Sequence, residues 1–283
     1  MFERSDGLKF VFGKDNNIVF DINTGDGVPV KISTSQGFSQ IGESVESIGV
    51  QGRTLTVNGC IYGNSIFLKK KAMRNALLPL SHGKLIIGDQ YYCDVYVKNS
   101  PSFSVEKNNG KFSLQFFSPT PYFYLLQGKS ETIGSIKKMF SFPVNYATTH
   151  QFGTREVEKY KNFLNDGDVS VPFSITATSF GTVGNILVQN IENTKFLEIQ
   201  NPEGSTMLPG EEINVYRDDG GMLRAEKVVD GESSDILSWI DPYSNLFELS
   251  VGDNLISYED GSSSVPEFFL SLSYNPAIWS VFE

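Results

Sequence analysis

The sequence predicts a mainly β protein of two domains with a single helix. Three observations point there. Aromatic residues make up 13% of the chain, weighted to Phe (22) and Tyr (12) over Trp (2), which favours strands. Short runs alternate apolar and polar residues, the period of a half-buried strand. Asn-Gly and Asp-Gly pairs fall between those runs and favour tight turns. At 283 residues, 40% hydrophobic and 20% charged, the chain is long enough for two cores.

In the first half, strands are expected at Leu8 to Phe12, Ile18 to Ile22 and Val28 to Ile32, with a turn at Thr24-Gly25-Asp26-Gly27. Arg53 to Ile61 sets Leu55 and Val57 against Thr54, Thr56 and Asn58; Tyr92 to Val97 and Phe112 to Phe116 alternate likewise, with Asn109-Gly110 as a hairpin signal. One helix interrupts them, over about 65–78. Asn64 or Ser65 can cap it, Ile66 to Leu77 lacks Gly and Pro, and Pro79 ends it. Ile66, Met73 and Leu77 form its expected buried stripe, which Lys70 interrupts. The prolines of Ser118-Pro-Thr-Pro-Tyr-Phe-Tyr124 close the first domain, 1–128.

The second domain, 129–283, begins with a connector or strand over Ser130 to Tyr146. A polar insertion follows near 147–165, with a helix expected from Thr154 to Phe163. Strands are then expected at Val171 to Thr178, Asn185 to Ile191, Lys195 to Ile199, Glu212 to Tyr216, Leu246 to Leu249, Asn254 to Tyr258 and Glu267 to Tyr274. Asp219-Gly220, Asp230-Gly231 and Asp260-Gly261 punctuate them, a spacing that fits an antiparallel sandwich.

Charge separates the halves. Residues 1–128 carry 13 Lys+Arg against 10 Asp+Glu, a net of +3; residues 129–283 carry 10 against 23, a net of −13. The acidic half argues against nucleic-acid binding, which needs a basic face. No apolar run approaches the roughly 20 residues that span a bilayer, and MFERSDGLKF lacks the basic start and apolar core of a signal peptide. Synthesis in the cytoplasm is therefore expected, with Cys60 and Cys93 as reduced core thiols.

Catalytic and metal-binding patterns do not emerge. The chain has no Gly-x-Ser-x-Gly elbow, phosphate loop or dinucleotide fingerprint, and no Cys-x-x-Cys or His-x-x-x-His spacing. His82 sits beside Gly83 in a turn-like setting, and His150 lies in a polar stretch. No enzyme, cofactor or metal is expected. Lys69, Lys70, Lys71 and Arg74 form the one basic concentration, either the solvated face of the helix or an interface or channel-facing surface. Trp239, Tyr243, Phe247 and Trp279 either fill the core and subunit contacts or form a sugar-stacking platform.

Two ordered stretches carry a family resemblance. Gly52-Arg53-Thr-Leu55-Thr-Val57-Asn-Gly59 leads to the helix, and a later run ends at Phe116-Phe117-Ser-Pro-Thr-Pro-Tyr-Phe123. This resembles the N-terminal domain of phage distal tail (Dit) proteins, where a G-R-x-[IL]-x-[IV]-x-G strand precedes a helix and a last strand runs into Pro-Tyr-Phe. Asn165-Asp-Gly-Asp168, Leu197-Glu-Ile199, Pro209-Gly-Glu211 and Leu249-Ser-Val-Gly-Asp-Asn-Leu-Ile-Ser-Tyr258 are similar to the family's second domain. Phe180-Gly181-Thr-Val-Gly184-Asn185 stands where the family has a proline-containing turn. The resemblance implies an N-terminal β-sandwich or split-barrel-like domain with one helix, then a C-terminal galectin-like antiparallel β-sandwich. It implies a structural, non-enzymatic protein of the virion tail tip or baseplate. There a hexameric ring would join the tail tube protein to the tail-associated hub protein, carry receptor-binding protein outward and pass DNA only as cargo. The alternative is a carbohydrate-binding adhesin module that recognises host cell-wall sugars.

Overall fold

The computed structural model describes residues 1–23, 27–63, 65–104, 110–138, 153–156, 158–202, 205–218, 221–245, 247–261 and 265–281. Its Cα packing divides the chain into one unit of Met1–Gln127 with Ala277–Glu283, and a second of Gly128–Pro276. The expected hairpin at Asn109-Gly110 and turns at 24–27 and 219–220 lie wholly or partly outside the described residues, as do Asn64, His150 and residues 147–152 of the polar insertion.

The first unit holds β1 (Phe2–Arg4), β2 (Lys9–Phe10), β3 (Ile18–Asn23), β4 (Val30–Ser35), β5 (Ser44–Val50), β6 (Arg53–Ile61), helix α1 (Ile66–Ala76), β7 (His82–Ile87), β8 (Tyr91–Phe103), β9 (Gly110–Ser118) and β10 (Phe123–Leu125). Its main sheet runs β2-β1-β7-β8-β9-β6-β3, each pair antiparallel. Because side chains alternate along a strand, Leu55 and Val57 of β6, Val95 and Val97 of β8, and Leu114 and Phe116 of β9 enter one core, with Phe2 and Leu85. Met73, Ala76 and Leu77 close it from α1. Lys70 does not spoil that stripe. The residue is half-buried, and its ammonium sits 5.2 Å from the centre of the Phe103 ring, a cation over an aromatic face. Ser65 occupies the helix N-cap without a side-chain cap hydrogen bond. His82, expected in a turn, opens β7 opposite Tyr96 instead.

The Gly-Arg strand motif has a packing reason at each end. A Cβ on Gly52 would lie 2.4 Å from the Ser118 carbonyl oxygen, and one on Gly59 would lie 2.5 Å from the Val19 carbonyl oxygen and 2.6 Å from the Phe112 ring. Between them Arg53 is buried. Its Nη2 donates to the Trp279 carbonyl at 2.9 Å and its guanidinium stands 4.9 Å from the centre of the Phe123 ring. Its Nε has no partner among the described residues. Burial lowers the proton affinity of this guanidinium. Burial also pushes the nearby Cys93 thiol up to about 12, with Asp94 acting the same way and Arg53 against it. Just before Trp279, the strand Ala277–Ile278 pairs with β10, which ties this late segment into the first unit.

The second unit is an antiparallel sandwich. It comprises β11 (Lys129–Ile133), β12 (Ser135–Lys138), β13 (Gly153–Glu156), β14 (Tyr160–Asn165), β15 (Phe173–Ser179), β16 (Ile186–Asn190), β17 (Phe196–Ile199), β18 (Glu212–Arg217), β19 (Leu223–Val229), β20 (Glu232–Asp235), β21 (Gly252–Asp260) and β22 (Phe268–Tyr274). One sheet runs β11-β22-β15-β18-β19-β20 and the other β14-β21-β16-β17; β12 and β13 form a separate ribbon. The sheets meet through Phe163 against Tyr274, with ring centres 6.5 Å apart, and Tyr258 against Phe268 at 5.0 Å. At one edge Lys227 and Glu211 pair at 2.6 Å with side chains only 13% and 12% exposed. Burial raises the Glu211 carboxyl, but the Lys227 ammonium and the Leu208 N–H outweigh it and hold the group below its ordinary range.

Two expectations are corrected. The helix expected at Thr154 to Phe163 is absent; β13 and β14 occupy that stretch, with Phe163 inward on β14 and the strand paired along its length to β21. On β14 the inward side includes Asn165, fully buried, whose side-chain amide donates to the Val169 and Leu249 carbonyls, so a polar residue there is part of the strand's packing. Leu246 to Leu249 is not a regular strand: Leu246 lies outside the described residues, and Leu249 makes only an isolated bridge to Val171. The β19–β20 hairpin was not expected, although the Asp230-Gly231 turn was. Both turn residues have positive φ, 52° and 85°, the geometry of a two-residue hairpin loop.

Candidate assembly surface

Between β3 and β6 the chain leaves the main sheet as the β4–β5 hairpin, whose strands, among the described residues, pair with each other alone. Cross-strand pairs Val30–Val50 and Ile32–Ile48 share one face, and Lys31–Gly49 and Ser33–Ser47 share the other. The register shifts between Ser33 and Thr34, leaving Glu46 as the extra residue, so that Val45 pairs Thr34. A bulge of this kind resets the alternation and returns Val45 to the aliphatic face. The five aliphatic side chains of that face are 51% to 68% exposed.

The loop at the hairpin's end is internally organised. The Gly37 N–H donates to the Gln40 side-chain oxygen at 2.9 Å, the Gln40 N–H to the Gly37 carbonyl at 3.0 Å, and the Gln40 amide to Ser44 Oγ at 2.9 Å. Ser39 and Gly42 take positive φ, 68° and 86°. This scaffold turns Phe38 and Ile41 outward, both fully exposed. Sequence reasoning marked β4 but passed over β5 and the loop, because Ser44–Val50 carries glutamate and glycine among its aliphatics.

The residues singled out from sequence lie on other elements than this hairpin. On α1, Lys69 donates to the Asn16 carbonyl, Lys70 and Arg74 both cover Phe103, at 5.2 and 5.0 Å, and Lys71 is exposed. Of the aromatic four, Trp239 is half-buried beside Lys227, 5.9 Å from ammonium to ring centre, and Tyr243 is exposed. Phe247 is buried against Phe173, with ring centres 4.9 Å apart. Trp279 belongs to the first unit and stands edge-on to Tyr122 at 5.3 Å. Within the second unit, Phe247 is buried and presents no open face. His82 is exposed and stacks on Tyr96 at 5.7 Å. A cleft in the second unit is lined by apolar side chains, among them Phe173, Ile175, Leu197 and Val215, with Arg217 its one charged residue.

The two β units in this order, with one helix in the first, give the chain the fold of phage distal tail proteins. In particular it is similar to SPP1 Dit (gp 19.1), whose crystal structure describes that protein as a paradigm of the hub adsorption apparatus in Gram-positive infecting phages. The two share 10% identity over 93% of this chain and 94% of that one, at a TM-score of 0.67. Chains from the phage P2 baseplate in its activated conformation also align. With Ca the identity is 10%, with 92% and 91% of the chains covered and a TM-score of 0.44; with Sr it is 11%, 92% and 91%, and 0.46. No family model matches the sequence, and no curated protein does.

Proposed function

We propose that this chain is a non-enzymatic structural protein of a phage tail tip, a hexameric ring adaptor that joins the tail tube protein to the tail-associated hub protein. The first unit forms the ring, with α1 and its basic residues at a subunit interface or facing the channel through which DNA passes as cargo. The second unit projects outward and carries receptor-binding parts. The protein is made in the host cytoplasm and ends in the virion. The observation that carries this reading is that both units, in one chain and in order, follow SPP1 Dit over nearly the whole length of each protein. A closed ring suits the chemistry, because a head-to-tail contact repeated around a ring leaves no subunit surface unmatched. Mass photometry and negative-stain imaging of the purified chain test it. The expected particle is six times 31.4 kDa, about 188 kDa. A species of 31.4 kDa at micromolar concentration, with no ring in the images, overturns the proposal.

A further inference from the structure

We infer that the second unit is a clasp that closes the first. By holding its own two ends together it returns residues 277–281 to the first unit, which becomes complete, and fit for assembly, only when the second has folded. The closure stands on packing within each unit; its consequence for assembly rests on the ring reading above. The first unit is discontinuous, since Met1–Gln127 is joined by a segment that begins at Ala277. That segment belongs to the core. Ala277 and Ile278 pair with Tyr124 and Phe123. Ala277 is fully buried, and Ile278 and Val281 pack on the core cluster. With the segment gone, the buried Arg53 would keep its charge and lose the Trp279 carbonyl, the acceptor of its Nη2. A buried charge stripped of its partner is strongly destabilising. Phe123 would lose a strand neighbour at the same time.

The second unit decides how readily the segment returns. Gly128–Pro276 puts roughly 150 residues between the two parts of the first unit, and closing a loop that long carries an entropic cost that grows with its length. Folding of the second unit removes most of that cost. Its first strand β11 and its last strand β22 are neighbours, with Lys129 opposite Tyr274, so the chain leaves this unit beside the point where it entered. The approach there is tight. A Cβ on Gly128 would lie 2.0 Å from the Asn275 side-chain oxygen and 3.3 Å from the Tyr274 carbonyl oxygen. Leu126, Gln127 and Gly128 join β10 to β11, and Asn275 and Pro276 join β22 to Ala277. Closure across those few residues, in place of roughly 150, is favoured by the 3/2 power of the ratio, on the order of a hundredfold. Synthesis completes Met1–Gln127 first. The clasp keeps that part open until the second unit is made and folded, so every copy that enters a ring carries an intact second unit.

The test lengthens the connector and leaves the residues of both units in place. In the full chain with Trp239→Phe, where Trp279 reports alone, about forty Gly and Ser residues are inserted between Pro276 and Ala277. A control carries the same insert at the β19–β20 turn, between Asp230 and Gly231. About five connecting residues become about forty-five, which weakens closure roughly thirtyfold. That is about 2 kcal/mol and should lower the Trp279 urea midpoint by about 1 M; the control should match the chain without an insert. A staple then isolates the cause. Tyr124→Cys and Ala277→Cys, at cross-strand partners, are added with Cys60→Ser and Cys93→Ala. The oxidised staple should cancel the connector's effect, and the reduced one should not. Ile213→Asp, in the second unit's core, unfolds that unit from within and should lower the Trp279 midpoint at least as far, again restored by the oxidised staple. An unchanged midpoint in the connector variant, or a loss that the oxidised staple leaves in place, overturns the clasp whatever the oligomeric state. If wild type forms rings and the connector variant assembles at the same concentration, the consequence for assembly is wrong. If the midpoints move as expected and wild type stays monomeric, the clasp stands and the ring reading falls.

Discussion

Arg53 offers the sharpest test of how the first unit is held together. It is 4% exposed, has no carboxylate hydrogen-bond partner among the described residues, and is held by one hydrogen bond to the Trp279 carbonyl and by the Phe123 ring. The hydrogen bond from a charged donor contributes about 1.5–3 kcal/mol, and a desolvated cation over a ring about 2 kcal/mol. Against them stands a desolvation penalty of several kcal/mol for a charge taken from water. These nearly cancel, so Arg53→Met, which keeps the packed stem, should change stability by about 1 kcal/mol or less. Arg53→Ala also opens a cavity and should cost about 2–4 kcal/mol more, in the range of other large-to-small core changes. The assay exploits the tryptophans, one in each unit. In a Trp239→Phe background Trp279 reports the first unit, and in Trp279→Phe Trp239 reports the second. The Ala variant should lower the first unit's urea midpoint by about 1–2 M, given a slope of about 2 kcal/mol/M for a unit of this size, and leave the second unit's midpoint in place. Equal losses in the Met and Ala variants would refute the reasoning, because the charge rather than the stem would then carry the stability.

Two further outcomes follow from the packing. Gly59→Ala should destabilise the first unit by about 1–3 kcal/mol, as overpacking does, because its Cβ would press on the Val19 carbonyl and the Phe112 ring; thermal unfolding followed by Trp279 fluorescence checks it. In the second unit, Glu211→Gln should cost about 1–3 kcal/mol at neutral pH, between the values for exposed and buried ion pairs. Because the folded carboxyl sits below its ordinary value of 4.5, this stabilisation is complete above the unfolded value and disappears as pH falls through the folded one. Urea midpoints of wild type and variant should therefore differ by a constant amount from pH 6 to 8 and converge only as pH falls through the lowered folded value. A difference that persists in acid would show that the charge on Glu211 is not its source.

The local pattern by itself determined most of the strands and their inward faces. Arg53–Ile61 reads the same in sequence and structure because it lies in the interior of a sheet, where Leu55, Val57 and Ile61 must enter the core on alternate positions. The helix and its stop were equally legible, since Pro79 acts on its own neighbours. What the sequence could not determine depends on partners far along the chain. Residues 160–165 look polar, yet they form a strand because β21 supplies their backbone partners. Glu232–Asp235 has no apolar residue and is a strand only because its turn sets it beside β19. The pairing of Ala277–Ile278 with β10, and the fixing of Trp279 by Arg53, span more than 150 residues. No periodicity records such a contact, because strand pairing is a bond between backbones that any side-chain pattern can make. The hairpin's exposed face is of the same kind. Its alternation marks one aliphatic side, and only the folded unit reveals that this side is exposed among the described residues.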